Sequence, residues 1–351
     1  MVETENPLKK RLLQSLQNLE RKNLLSFHLV LLPDFFVDHV VSLKTVDQMH
    51  TAVQSLVAQG GGNLPGVSQQ IHQGGNAANT ALALARLGMT PHLICRTNPF
   101  GLHLLQFFLG KNGVDLSRVK SDGSLAMTTA LEFQEHHANV MLGDPGSVAS
   151  FSFDSLDDQD WDLMAQAHLI GVTNWNLNKQ GTMLASHVLQ FARKHHVRTF
   201  FDSGDPSPRM NDIPELIKKV LSNPNLDIFG LNENELRYYT SSSMATPQEM
   251  IAAAEQFKKQ IPARVDFHTS FFSCTVKAAT TVVPTLTGVP VIRSTGAGDA
   301  WNAADLFADL LDFPDDERLL FANIFAGYYI SKPEPLHPTI DMVVDFIKKT
   351  L

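Results

Sequence analysis

Cysteine is scarce in this 351-residue chain, which has only Cys95 and Cys274. Two thiols without paired spacing exclude a disulfide framework and a cysteine-rich zinc centre. Their scarcity fits a reducing, cytoplasmic setting. An excess of basic charge is also missing. Lys and Arg number 28 against 36 Asp and Glu, a net charge of -8. The chain therefore lacks the basic face that a nucleic-acid backbone requires. A nucleotide remains allowed, because a few local donors and a metal hold one. No apolar run is long enough to span a bilayer. Met1-Val2-Glu3-Thr4-Glu5 lacks the basic start and apolar core of a signal peptide. Neither nucleic acid nor membrane is an expected partner. The 14 histidines lack ligand spacing too. His136-His137 and His195-His196 are adjacent, not i, i+4, and read as solvated loop or helix-end residues.

What is present is ordinary for a soluble globular protein: 44% hydrophobic and 18% charged residues. The length supports one large core and a smaller appended element. Residues 7–26 place Leu12, Leu13, Leu16 and Leu19 at helical spacing among basic residues. Such a helix suits a membrane surface or, the preferred reading, its own domain. Short apolar runs at 27–32, 92–95, 168–172, 197–201 and 226–231 read as strands. Helical patterns fall between them, clearest at 179–195, where Leu184, Val188, Phe191 and Ala192 share a face. This alternation predicts an α/β fold with a mostly parallel, doubly wound sheet and ligand sites beyond the strands' carboxyl ends.

Two segments break the rhythm. Residues 36–70 hold a strand, a helical stretch and a loose Gly60–Gly66 run. Residues 125–153 alternate like antiparallel strands around a turn at Gly143-Asp144-Pro145-Gly146, with Phe151 and Phe153 on the second strand. Both are read as one discontinuous β lid, leaving 1–35, 71–124 and 154–351 as the core. Further strands are predicted at 265–269, 274–277, 281–284 and 289–292. A helical region follows from 299, interrupted by Pro333, Pro335 and Pro338 before a last helix at 339–350.

Two motifs carry chemistry. Ser294-Thr295-Gly296-Ala297-Gly298-Asp299 is read as following a strand and opening a helix. Glycines leave N–H groups uncovered, and a helix start adds positive partial charge, which together suit phosphate oxygens. Asp299 is placed to accept a proton from an attacking hydroxyl. The plainer reading is a glycine turn with an aspartate cap. Gln73-Gly74-Gly75-Asn76-Ala77-Ala78-Asn79 starts an alanine-rich helix ending at Gly88. Gly74 and Gly75 let a ligand approach the backbone, and Asn79 offers a donor and an acceptor. The plainer reading here is tight helix packing.

Together these segments resemble the ribokinase, or PfkB, family of carbohydrate kinases, over residues 27 to the end. The resemblance implies a ribokinase-like fold with a small β lid and ATP-dependent, Mg2+-assisted phosphorylation of a sugar or related polyol. Asp299 becomes the base, and the Gly296, Ala297 and Gly298 backbone the anion hole. Asp38, from Asp34-Phe35-Phe36-Val37-Asp38, joins Gly74, Gly75 and Asn79 in holding the acceptor. Asn232 and Glu235, from Asn232-Glu233-Asn234-Glu235, organise phosphate and magnesium, Glu235 through water. Asn232, Thr269, Thr295, Gly296, Gly298 and Asn323 are assigned to the nucleotide. Arg293 stands where the family usually has aspartate, and His268-Thr269-Ser270-Phe271 stands where it has T-x-G. A nucleoside kinase of the same fold and a non-catalytic ligand-binding regulator are the alternatives. Pairing of lids into a homodimer is a further expectation.

Overall fold

The computed structural model describes residues 7–350, except 134, 136 and 137. His136-His137 and the first five residues therefore lie outside the described set. In chain order, helices α1 (Pro7–Gln17) and α2 (Arg21–Leu24) precede strands β1 (His28–Leu32) and β2 (Phe36–Leu43). Helix α3 (Val46–Ala58), strand β3 (Ser68–Gly74), helix α4 (Asn76–Arg86), strand β4 (Thr90–Leu93) and helix α5 (Pro99–Phe108) follow. Strands β5 (Ala126–Phe133) and β6 (Ala138–Asp144) form a hairpin, succeeded by α6 (Asp158–Ala165), β7 (Leu169–Val172), α7 (Gly181–His195) and β8 (Arg198–Asp202). The last third comprises α8 (Ile213–Leu216), β9 (Ile228–Asn232), α9 (Glu233–Thr240), α10 (Pro247–Lys258) and strands β10 (Arg264–His268), β11 (Phe272–Val276) and β12 (Thr280–Pro284). It closes with α11 (Ala297–Leu310), α12 (Asp315–Ile330) and α13 (Ile340–Thr350).

Eight strands form the main sheet in the order β12-β11-β10-β9-β8-β7-β1-β4. From β10 to β4 all neighbours are parallel, and β11 and β12 add an antiparallel edge. Both faces are covered, so the strands read as continuous apolar runs. Alternate side chains then serve two cores. Leu29, Leu31, Phe200 and Ile228 pack with α4, α11, α12 and α13. Val30, Leu32, Phe201 and Phe229 pack with α7 and α10. Strand β1 has β4 on one side and β7 on the other, so strand order reverses there and opens a crevice at the carboxyl ends.

The two excursions share one further sheet, in the order β3-β2-β5-β6. Strands β2 and β5 run parallel from Phe36↔Ala126 to Leu43↔Phe133. Strand β3 extends to Gly74, so the first excursion ends four residues beyond the expected 70. Helix α1 buries Leu12 and Leu16 completely and ties its polar face to α12, with Ser15 Oγ donating to Glu317 at 2.7 Å. His195 and His196 are exposed at the end of α7, as expected for a helix terminus.

Two expectations need correction. Gly143 and Asp144 are the end of β6, not a hairpin turn, because β5 pairs with β6 from Met127↔Asp144 to Phe133↔Ala138. Phe151 and Phe153 are not strand residues; Phe151 is buried under α7. Residues 289–292 form no strand either. Pro290 has no N–H for a ladder, and the Ile292 and Arg293 amides donate instead to Ile330 O at the end of α12. The Thr295–Asp299 motif thus follows an irregular segment.

Candidate active site

The reversal at β1 is pinned by a residue that received no role from sequence. Asp34 is fully buried two residues beyond the strand. It accepts from the Asn76 and Ala77 amides at 2.7 and 3.0 Å, fixing the start of α4. It also accepts from Thr173 Oγ1 at 3.0 Å and Asn174 Nδ2 at 2.8 Å, just past β7. Burial raises its pKa, and these four donors oppose the rise. The sequence signal was available: an aspartate at the carboxyl end of a central parallel strand.

Asp38 projects from β2 opposite His72 of the antiparallel neighbour β3, and Gly74, two residues further along β3, pairs with Phe36. A Cβ on Gly74 would come within 2.3 Å of Asp38 Oδ2, so only glycine admits the carboxyl there. Burial and the charge of Asp34 push Asp38 up to about 6, against a hydrogen bond from Thr128. Gly75 caps α4 with φ +95°. One turn later Asn79 donates Nδ2 to Asp299 Oδ2 at 2.9 Å, joining residues 220 positions apart.

Asp299 lies in the first turn of α11 and is 8% exposed. Burial pushes its carboxyl well above the usual range. The Asn79 donor pulls it down, while Asp202, Asp34 and Asp38 push it further up. Asp202, at the end of β8, accepts from Asn302 Nδ2 at 2.6 Å and the Gly204 amide at 2.7 Å. Gly296 precedes α11 with φ +81°, and a Cβ there would sit 2.8 Å from Tyr329 Oη. That hydroxyl donates to Thr295 O at 3.4 Å. The Ala297 amide donates to Ser294 O at 3.1 Å. A helix start leaves its first amides without intrahelical acceptors. The 202–209 segment, which resembles a strand-end stretch facing the active site in the family, supplies Asp202; Asn302 and Tyr329 were not singled out from sequence.

A cavity of about 710 Å³ opens between the four-stranded sheet and the 291–296 and 333–335 segments. Asp38, Asn79, Thr295 and Gly296 line it with Arg293 and Tyr329. Asn232 and Glu235 face a second hollow of about 490 Å³, which Asp205 also lines. They form a capping box at the start of α9: Asn232 Oδ1 accepts from the 234 and 235 amides, and Glu235 accepts from Asn232 N and Nδ2 at 3.0 and 2.8 Å. Burial pushes Glu235 well up, helped by Asp202, Asp205 and Asp299.

Two residues assigned to the nucleotide stand apart. Thr269 caps the β10–β11 turn, its hydroxyl accepting from the 271 and 272 amides at 3.0 Å each. Asn323 is buried in α12, accepting from Trp301 Nε1 at 2.9 Å and donating to the Val283 and Pro284 carbonyls. Its amide is fully engaged inside the protein.

Solved structures share this architecture. Arabidopsis thaliana ribokinase, in complex with ribose and ATP, matches with TM-score 0.72 over 92% of this chain and 99% of its own, at 18% identity. Adenosine kinase from Sinorhizobium meliloti matches with TM-score 0.73 over 93% and 99%, at 16% identity. The fold is ribokinase-like, a mixed sheet of mostly parallel strands flanked by helices.

Sequence takes the assignment further. Residues 40–341 match the pfkB family of carbohydrate kinases, and the chain belongs to that family. A curated relative, 5-dehydro-2-deoxygluconokinase of Geobacillus thermodenitrificans (strain NG80-2), is 25% identical over 285 residues, covering 78% of this chain and 84% of its own. Its namesake from Geobacillus kaustophilus (strain HTA426) is 25% identical over 79% and 84%. The protein is a carbohydrate kinase. Among the described residues no helix is long and apolar enough to cross a membrane.

Proposed function

We propose that this kinase transfers the γ-phosphoryl group of ATP to a hydroxyl of a sugar or related polyol, with Asp299 as general base. The observation that carries the reading is the 2.9 Å hydrogen bond from Asn79 to Asp299. It joins the two sequence motifs beside Asp38 at one cavity. Asp38, Asn79 and the Gly74-Gly75 backbone hold acceptor hydroxyls. Asp299 takes the proton of the attacking hydroxyl, whose oxygen bonds to the γ-phosphorus as the bond to the bridging oxygen breaks and ADP leaves. The backbone of Gly296 and Gly298, at the positive end of α11, receives the charge on the transferring group, while the Ala297 amide, tied to Ser294 O, holds the turn between them. Asn232, Thr269, Thr295 and Asn323 belong on the nucleotide side, where Thr269 and Asn323 shape the walls through the bonds described above. The β3-β2-β5-β6 sheet is the lid that excludes water.

The donor set fits magnesium held through water. Both Glu235 oxygens are engaged by Asn232, and Asp202, Asp205 and Asp299 crowd negative charge around it. Glu235 and Asn232 would orient the ion's waters, and the ion would neutralise phosphate charge. Apolar Ile71, Met141 and Leu142 are exposed on the edge strands of the lid, which supports a homodimer formed there. Light scattering at monomer mass would refute the dimer.

The test is ADP release by the purified full chain with ATP and Mg2+, across sugars, polyols and nucleosides. Release that depends on a sugar or polyol, and on Mg2+, is the expected result. Preference for a nucleoside would replace the acceptor. Ligand binding without phosphorylated product would make the protein a non-catalytic regulator.

A further inference from the structure

We infer that Arg293 makes the acceptor pocket selective for polyols that carry an anionic group, a carboxylate or a phosphate ester. The inference rests on the proposed acceptor cavity and names the class of substrate it takes.

Arg293 lines the same cavity as Asp38, Asn79 and Gly296. Its Nη2 donates to Pro333 O at 2.9 Å, and its guanidinium lies over the Tyr329 ring at 5.6 Å. Its Nε is buried and has no hydrogen-bond acceptor. A buried guanidinium N–H without an acceptor is costly, and here, at the cavity wall, a ligand oxygen would supply the missing acceptor. The buried arginines Arg264 and Arg318 face aspartates. Arg293 is instead held by a backbone carbonyl and a ring, and keeps its positive charge for the cavity. Its amide is tied to Ile330 O at 3.2 Å, and the bond from Nη2 to Pro333 O holds the far end of the side chain. A planar fork held this way matches a carboxylate or phosphate.

The surroundings favour the acceptor over ATP as the source of that anion. His72, Gln73 and Met141, all from the second sheet, share the cavity wall with Arg293. Burial and the Arg293 charge hold His72 below its ordinary pKa, so it stays a neutral hydrogen-bonding group. Asp38 and Glu132, which also lines the cavity, repel an anion, and this orients the ligand: hydroxyls toward Asp38 and Asn79, the anionic end toward Arg293. Arg293 precedes Gly296 by three residues in an irregular segment, whereas the phosphoryl-binding amides belong to the start of α11.

Three ligands with one six-carbon skeleton test this by calorimetry on the full chain: D-glucitol, D-gluconate and D-glucitol 6-phosphate. The wild type is expected to bind one or both anions at least ten times more tightly than glucitol. The tighter of the two identifies carboxylate or phosphate as the group recognised. R293Q should bring the anion-to-glucitol ratio close to one, and R293K should fall between. Thermal unfolding of both variants separates loss of fold from loss of selectivity. A wild-type ratio near one, binding of none of the three, a ratio preserved in R293Q, or a loss in R293Q confined to ATP affinity would each overturn the inference. Selective anion binding with no ADP release from any acceptor would instead sink the kinase mechanism and leave the Arg293 assignment standing.

Discussion

Helix α11 carries buried acids at both ends, and their surroundings differ. Toward its C-terminal half, Asp305 and Asp309 meet Arg318 and Arg264. Arg264 and Arg318 also bind Asp266, at 2.8 and 3.2 Å. Those two guanidinium groups hold Asp266 well below the usual carboxylate range despite its burial. Asp305 is pushed up by burial and by Asp266, with Arg318 opposing. At the N-terminal end, Asp299 faces Asp202, Asp34 and Asp38, opposed by the neutral Asn79 amide. One cluster is matched by cations inside the fold. The other is a set of like charges that burial makes costly. Such a set persists where ligands complete it, which is the pattern expected of a site for hydroxyls and a metal.

The comparison breaks most directly at Asp299. Asp299→Asn should lower kcat by on the order of 10³- to 10⁴-fold, the upper range for a general base. Thermal stability should hold or rise, because a repelled charge is removed. Steady-state assays with melting curves check both, and unchanged turnover sinks the base. At the other end, Arg318→Met leaves Asp266 and Asp305 buried without their partner. A loss of about 3–5 kcal/mol is expected in urea unfolding, with kcat of the folded fraction near wild type.

Asn79→Ala tests the junction. Loss of a hydrogen bond to a charged group, worth about 1.5–3 kcal/mol, should cut kcat/KM by about 10- to 100-fold. The missing donor also lets the Asp299 pKa rise, so the acid limb of the kcat/KM profile should move to higher pH. A limb that stays in place would mean that another group sets it.

The smallest effect concerns stability and pH. Asp38 is raised to about 6 in the folded protein. Its contribution is therefore fully present below the ordinary carboxylate pKa and is lost as pH rises through 6. Asp38→Asn should flatten the stability profile between about pH 4 and 6.5 and leave the variant on the order of 1–2 kcal/mol more stable at pH 7, after allowance for partial exposure. Asp266 has the opposite sign, its stabilisation being lost as pH falls. Urea titrations across pH for the Asp38→Asn and Arg318→Met variants would separate the two signs. Parallel profiles would erase the distinction between the clusters.

The fold was legible where patterns are local. Apolar runs marked β1, β7, β8 and β9 within two residues, and the 3.6-residue spacing marked α7. The Gly-Gly-Asn and Thr-Gly-Ala-Gly-Asp motifs located both halves of the candidate site. The failures at 143–146 and 289–292 have a common cause. A Gly-Asp-Pro-Gly run has turn chemistry, yet pairing with β5 keeps Gly143 and Asp144 in a strand. Val289 to Ile292 is apolar, yet no neighbouring strand accepts it. In both places the deciding partner is remote in sequence, and local propensity cannot register it.

By itself the sequence determined most of the segments that are strands or helices, that the main sheet is mostly parallel, and where glycine and aspartate stand ready for phosphate chemistry. These follow from side-chain periodicity and backbone freedom, which act over a few residues. Only the tertiary structure decided that Asn79 reaches Asp299, that Asp34 pins the crevice between β1 and β7, and that Arg293 opens onto the cavity lined by Asp38 and Asn79. It also decided that one helix carries a neutralised acid cluster and an unneutralised one. Those outcomes depend on burial and on charges brought together across hundreds of residues, and only the folded chain sets both.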